Sequence, residues 1–509
     1  MSELTKEVSE ALSLVKKTLK EAQYYEQAGR ALRFDQETIC PEKGMERQGE
    51  VASFLDNKAF ALRKDPGFEA AAALLYENRG QLEERDRVLA CQLHRDWLKD
   101  KNLTPEKELE YSLVFNKAFV DWSSAREKGD YSLFAPSLKK VEETQKELIS
   151  IREHEEGEVP KKLYDIMLDD YERGIDMAAL DPIFDECRVR LGALLEKIRK
   201  SPKKIRTDFL SRPVSDAKQQ ELGEYLLGVM GFDFSRGALT TTEHPFTEEI
   251  GPDDVRVTTH YYPNRFDSSM YSIIHEGGHA LFEMHQPRED HEHFITAGKT
   301  LGMHESVSRF YENRIGRSRE FIEFVYPKMC EIMPDVMEGV SARELYEALN
   351  EVKPSLIRTD ADEFTYTFHI IIRYELEKEI AAGTLKIEDA AKAWREKYKE
   401  ILGICPENDR EGILQDVHWS SGFGYFPTYA IGNFYNAMYY NRMKQEIDVP
   451  GLIAKGEFGP VNDWMAKNVF AKSDMLSPAE WIRDITGREL TANDFLDYLE
   501  EKYTGIYEL

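Results

Sequence analysis

Residues 271–280 read YSIIHEGGHA. Ser272, Ile273 and Ile274 before the histidines, with Ala280, Leu281 and Phe282 after them, make a credible buried helix. Two adjacent glycines nevertheless stand at 277 and 278, and each costs a helix interior roughly 1 kcal/mol relative to alanine. Something other than helix propensity favours that spelling. His275 and His279 are four residues apart, so on a helix they lie about 40° apart around the axis and about 6 Å apart along it. Both imidazoles can then reach one ion. In the HExxH pattern two such nitrogens bind zinc, and the intervening glutamate, here Glu276, takes a proton from a water on the ion. Gly277 and Gly278, lacking side chains, would let another backbone or a ligand approach this helix closely. The competing structural reading is an ordinary buried helix with hydrogen-bonded core histidines.

Just upstream, residues 237–264, GALTTTEHPFTEEIGPDDVRVTTHYYPN, are rich in Thr, Val and Tyr and broken by Gly and Pro. That composition predicts two or three short strands with tight turns. A small sheet therefore leads into the HEGGH helix, and an edge strand placed there could align an extended peptide by main-chain hydrogen bonds. Most of the remaining chain is patterned as helix. Leu4, Val8, Leu12, Val15 and Leu19 recur at spacings of three and four, which makes one apolar stripe on a charged segment. Similar stripes run from about 45 to 155 and cover about 176–200, 216–230, 304–350 and 363–400. No internal repeat or Ser/Gly-rich linker divides the chain, so 1–509 reads as a single unit.

Composition narrows the partners. With 67 Lys plus Arg against 94 Asp plus Glu, the formal net charge is −27, which disfavours nucleic acid and anionic membrane. Cysteines 40, 91, 187, 330 and 405 form no CxxC pair, so neither a disulfide framework nor a thiolate metal site is indicated. The first residues mix acids and bases without an apolar run of signal-peptide type, and no stretch approaches the roughly 20 apolar residues that span a bilayer. A cytoplasmic protein is the expectation.

A catalytic zinc needs a third protein ligand and an open position. His285 stands where the pattern HExxHxxGxxH has its last ligand, but Phe282 replaces the glycine that would turn the chain out of the helix. If the helix continues, His285 lies about 600° beyond His279 and off the ligand face. Glu305 in LGMHESVSRFYENR, residues 301–314, is the rival: Met303, Val307, Phe310 and Tyr311 make the segment amphipathic, with Glu305 close to its buried side. Glu312, seven residues later on the same face, is a weaker alternative.

HEGGH, HES at 304–306, DVRVT at 254–258, IRTDAD at 357–362 and GILQDVHW at 412–419 together resemble the carboxypeptidase Taq family of metallocarboxypeptidases. FDQETICPEKG at 34–44 resembles that family's N-terminal segment, so the likeness spans nearly the whole chain. The resemblance implies His275, His279 and Glu305 as metal ligands, Glu276 as general base, and zinc or cobalt as the ion. It also implies a mainly α fold of two helical lobes about a deep cleft, neurolysin-like, and a homodimer. The implied activity is release of single residues from free peptide C-termini with broad specificity, poor on terminal proline. Val307 stands where the family often has Gln, and Phe34 and Cys40 where Trp and Met are usual.

Such an activity must recognise a free α-carboxylate, which suits an arginine's planar fork. Arg358 and Arg256 are the candidates, and the resemblance favours Arg358. Structural ion pairs, with Asp360 or Asp362 for Arg358 and with Asp254 for Arg256, are the competing readings. The stretch HWSSGFGYFPTYAIGN, 418–433, offers His418, Tyr425 and Tyr429 as donors to a developing oxyanion, with His418 and Tyr425 preferred. Two alternatives remain for the whole: a zinc endo- or oligopeptidase with the same centre but no carboxylate anchor, and a noncatalytic helical scaffold.

Overall fold

Side-chain caps fix where the main helices begin. Thr5, Thr104, Asp176, Ser215 and Thr300 each accept a hydrogen bond from a first-turn amide, satisfying donors that a helix start leaves open. The computed structural model describes residues 4–153, 161–295 and 300–509. They form a mainly helical protein with one three-stranded sheet. The first helix, Lys6–Thr38, buries Val8, Val15 and Leu19, which is most of the stripe read from the sequence. These residues join Phe68, Leu75, Leu89 and Ile295 in an apolar core separate from the larger one built mostly from residue 118 onward.

The sheet comprises β1 (Gly237–Thr241), β2 (Thr247–Gly251) and β3 (Asp254–Thr259), in the order β1-β3-β2. β2 pairs antiparallel with β3, whereas β1 runs parallel to it. A simple meander would have put β2 in the middle. β3 takes the centre because its fully buried hydrophobic residues, Val255 and Val257, pack with Leu227, Ile273, Ala280 and Met284 against the HEGGH helix, Phe266–Met284. The sheet is thus the floor on which that helix rests.

The amphipathic run expected over 304–350 is not one helix. It divides into Leu301–Arg309, a π-helical segment Phe310–Gly316, and helices Arg319–Ile332, Pro334–Met337 and Ala342–Leu349. Ser318 caps one new start, and Ser341 with Glu344 forms a capping box at another. Among the described residues no helix is long and apolar enough to cross a membrane.

Candidate metal centre

Glycine lets two helices meet at the centre. A Cβ added at Gly278 would lie 2.8 Å from the Ser308 Cα and 3.2 Å from the Val307 carbonyl oxygen, so the backbone of helix Leu301–Arg309 occupies that space. On the other side of the same helix, a Cβ at Gly432 would lie 3.0 Å from the Ser306 amide nitrogen and 3.1 Å from the Glu305 Cγ. The helix bearing Glu305 is seated between two glycine surfaces. Gly277 instead faces Leu227 and Met230. The neighbour that the paired glycines admit at 278 is therefore a second helix.

This packing brings together His275, His279 and Glu305, whose ligand atoms all lie within 4.8 Å of one another. The Nε2 atoms of His275 and His279 are each 3.6 Å from Glu305 Oε2. Such spacings suit ligands roughly 2 Å from a shared ion. The opposite ring nitrogens are engaged. His275 Nδ1 bonds Glu312 Oε2 at 2.9 Å, and His279 Nδ1 meets His304 Nδ1 at 2.6 Å. His304 Nε2 in turn bonds Glu283 Oε1 at 2.6 Å. A chain of N–H groups ending on carboxylates leaves both Nε2 lone pairs facing inward, the tautomer a metal ligand needs. The donor set fits a divalent ion of the zinc type.

The carboxylates are held as anions. Arg309 donates from Nε to Glu305 Oε1 at 2.7 Å and from Nη1 to Glu312 Oε2 at 3.0 Å, with its guanidinium over the Tyr366 ring. Ser308 Oγ adds a bond to Glu305 Oε2 at 3.1 Å. Burial alone would raise the Glu305 carboxyl, but His275, which is charged only while a proton rather than an ion occupies its Nε2, and the Arg309 guanidinium hold it well below the usual range. Burial acts the same way on Glu312 and is likewise overcome, first by Arg309 and then by His275. Glu276, 8 % exposed, sits apart from this clamp. Its Oε2 accepts from Thr247 Oγ1 at 2.8 Å, so β2 fixes the direction of the carboxylate.

His285 is outside the centre: the helix runs on to Met284, and His285 Nδ1 bonds the Leu281 carbonyl oxygen at 2.8 Å. Phe282 supports that continuation. Glu312 lies on the predicted face, yet it meets the outer nitrogen of His275.

Arg358 is 6 % exposed, and its ion-pair partner is neither Asp360 nor Asp362. Its Nε donates to Asp416 Oδ1 at 3.0 Å and its Nη1 to the Tyr366 hydroxyl at 2.8 Å. Asp416, in the GILQDVHW stretch, also accepts from Arg373 Nε at 2.8 Å. Asp362 instead caps the turn at Phe364 and Thr365. The Arg358 guanidinium lies 4.8 Å from the Tyr429 ring, whose hydroxyl meets His418 Nε2 at 3.2 Å. Tyr425 packs on both, with ring centroids 5.4 Å from Tyr429 and 4.9 Å from His418. Tyr366 touches Arg309 on one side and Arg358 on the other, so this aromatic group adjoins the metal clamp. Burial pushes the His418 imidazole down to about 4, and Arg358 and Arg373 add to that effect against the opposing pull of Asp416. It is a neutral ring at pH 7. Arg256 is placed differently: on β3, it makes two bonds to Asp254, at 2.8 and 2.7 Å, and covers the Phe34 ring.

Sequence reasoning did not assign Arg309, His304, Glu283, Thr247 or Asp416. His304, Arg309, Thr247 and Asp416 stand inside the quoted stretches, and that was the available signal.

A family model described as carboxypeptidase Taq (M32) metallopeptidase matches residues 14–503. Carboxypeptidase 1 of Bacillus subtilis (strain 168) is 36% identical over 494 residues, which cover 96% of this chain and 97% of that protein. Thermostable carboxypeptidase 1 of Thermus thermophilus is 36% identical over 502 residues, with the same two coverages, 96% and 97%. Among solved structures, the M32 carboxypeptidase from Deinococcus radiodurans R1 superposes with a TM-score of 0.93 at 31% identity, covering 98% of this chain and 100% of that one.

Proposed function

The chain belongs to the carboxypeptidase Taq (M32) metallopeptidase family, and from that premise we propose that it releases single residues from free peptide C-termini with zinc, or cobalt in its place, held by His275, His279 and Glu305. The observation that carries the reading is the set of two inward-facing Nε2 atoms and one clamped carboxylate beside Glu276. The ion, when bound, supplies a Lewis acid for the scissile carbonyl and an acidified water. Glu276 accepts the proton of the attacking water and passes it to the leaving amine nitrogen, and Thr247 keeps its carboxylate aimed. His418, neutral, and Tyr425 donate to the carbonyl oxygen as it gains charge, with Tyr429 as the third candidate. Arg358 binds the substrate's terminal carboxylate, and Arg256 is the second candidate for that role.

Specificity is broad and poor on terminal proline. The whole of 1–509 works as one catalytic unit of two helical lobes about a cleft, as a cytoplasmic homodimer. The test is a product time course on an N-terminally blocked peptide and its C-terminally amidated twin, with and without chelator. Stepwise release of single terminal residues, fast from the free peptide and slow from its amidated twin, abolished by chelator and restored by Zn²⁺ or Co²⁺, is expected. Internal fragments formed equally from both peptides would replace this reading with the oligopeptidase one.

A further inference from the structure

The π-helical segment Phe310–Gly316 carries a second charged residue besides Glu312. Arg314 is 2 % exposed, and among the described residues it pairs with no carboxylate. Its Nε donates to Asn436 Oδ1 at 2.8 Å, and its guanidinium lies 3.7 Å from the Tyr498 ring centre and 5.5 Å from that of Phe495. Its Nη1 and Nη2 meet no acceptor. Asn436 is fully buried on helix Pro427–Met443, and its Nδ2 also meets none. The amide is held beside the guanidinium by the Nε bond, so Arg314 and Asn436 together present unused donors in one buried place.

An uncompensated buried guanidinium is costly, and the aromatic faces repay only part of its lost hydration. A site built of donors and one positive charge calls for an occupant that only accepts. We propose that Arg314 and Asn436 bind a small monovalent inorganic anion of the halide class. Water is the rival occupant. It can accept two of these bonds, but it must also place its own two protons, and Asn313 Oδ1 is the one unpartnered acceptor on the adjoining residue. The site would brace the segment from which Glu312 reaches His275, without touching substrate. It does not depend on the reaction proposed above.

Two measurements on the full-length protein decide it. Crystals grown in bromide should show an anomalous peak between the Arg314 guanidinium and the Asn436 amide. Thermal unfolding in chloride, against gluconate at equal ionic strength, should reveal stabilisation that grows with the logarithm of chloride concentration. Above the dissociation constant each tenfold rise in chloride multiplies the folded-to-unfolded ratio about tenfold. Arg314→Met keeps the packed stem and removes the charge, so chloride and gluconate should become equivalent. Asn436→Asp supplies an internal counter-charge and should abolish the same dependence if Arg314→Met fails to fold. No bromide peak, with equal midpoints in chloride and gluconate for the parent protein, overturns the proposal in favour of water. A peak without any chloride dependence also overturns it, leaving an adventitious ion only.

Discussion

Glu276 and Glu305 are the same side chain set to different work by their surroundings. Glu305 has lost its freedom to Arg309 and Ser308 and faces two imidazole nitrogens, which suits a ligand. Among the described residues Glu276 has a side-chain hydroxyl partner, Thr247, and no arginine, which leaves a lone pair for a proton. Glu276→Gln keeps the shape but cannot take that proton. Peptide turnover, followed by release of free amino acid, should therefore fall by roughly 10² to 10⁴ while metal content stays at the parental level. Near-normal turnover would move the base elsewhere. Glu305→Ala should strip the metal, measured by elemental analysis of the dialysed protein. His285→Ala should retain it, because His285 is spent on the Leu281 carbonyl. The meeting of His275 and His279 on one helix face could be read from sequence because i, i+4 on a helix is a local relation. The pairing of Arg358 with Asp416 could not, since it spans 58 residues and depends on how two distant turns meet.

At the scale of elements, the centre is a contact between two helices, and Gly278 sets their separation. Gly278→Ala brings a methyl to 2.8 Å from the Ser308 Cα, where the neighbour is backbone and cannot step aside. The expected result is a net loss of about 1 to 3 kcal/mol despite alanine's better helix propensity, together with weaker metal retention. Gly192→Ala, inside helix Met177–Lys200 with nothing within 4 Å, should instead stabilise by up to about 1 kcal/mol. Chemical denaturation of the two variants checks both signs. The sequence announced that 277 and 278 needed small residues, but the partner became visible only once helix Leu301–Arg309 was placed. The π-helical turn after it was equally hidden, because a seven-residue spacing predicts the same face for Glu312 without saying which imidazole nitrogen it reaches.

Across the whole molecule, buried acids away from the metal make stability depend on pH. Complete burial raises Glu172 and Glu377 to about 7, against an ordinary value near 4.5. Glu377 ties the aromatic loop down through Tyr164, Trp419 and the Gly424 amide. Between pH 4.5 and 7 the folded state holds protons that the unfolded chain has released, so the contribution of these groups is fully present below 4.5 and is lost as pH rises through 7. Glu377→Gln should flatten that part of the profile, by on the order of 3 kcal/mol between the two limits. Denaturant midpoints at pH 5 and pH 8 measure it, and an unchanged difference would show that Glu377 is ionised in the folded protein.

The mainly helical fold with one small sheet was legible from periodicity. The parallel β1–β3 pairing was not, because strand order follows from which strand the helix buries. In the proposed reaction this metal centre acts on a chain end held by Arg358. That role of Arg358 is tested most directly by kcat/KM for the parent and Arg358→Ala on a free peptide and its amidated twin. The expected result is a loss of about 10- to 150-fold on the free peptide and little further loss on the already poor amidated one, because the partner charge is missing from both. Asp416 would retain Arg373 in the variant, which keeps the fold comparable. Equal impairment on both peptides would contradict that role, restricting Arg358 to its pairing with Asp416 and making Arg256 the next anchor to test.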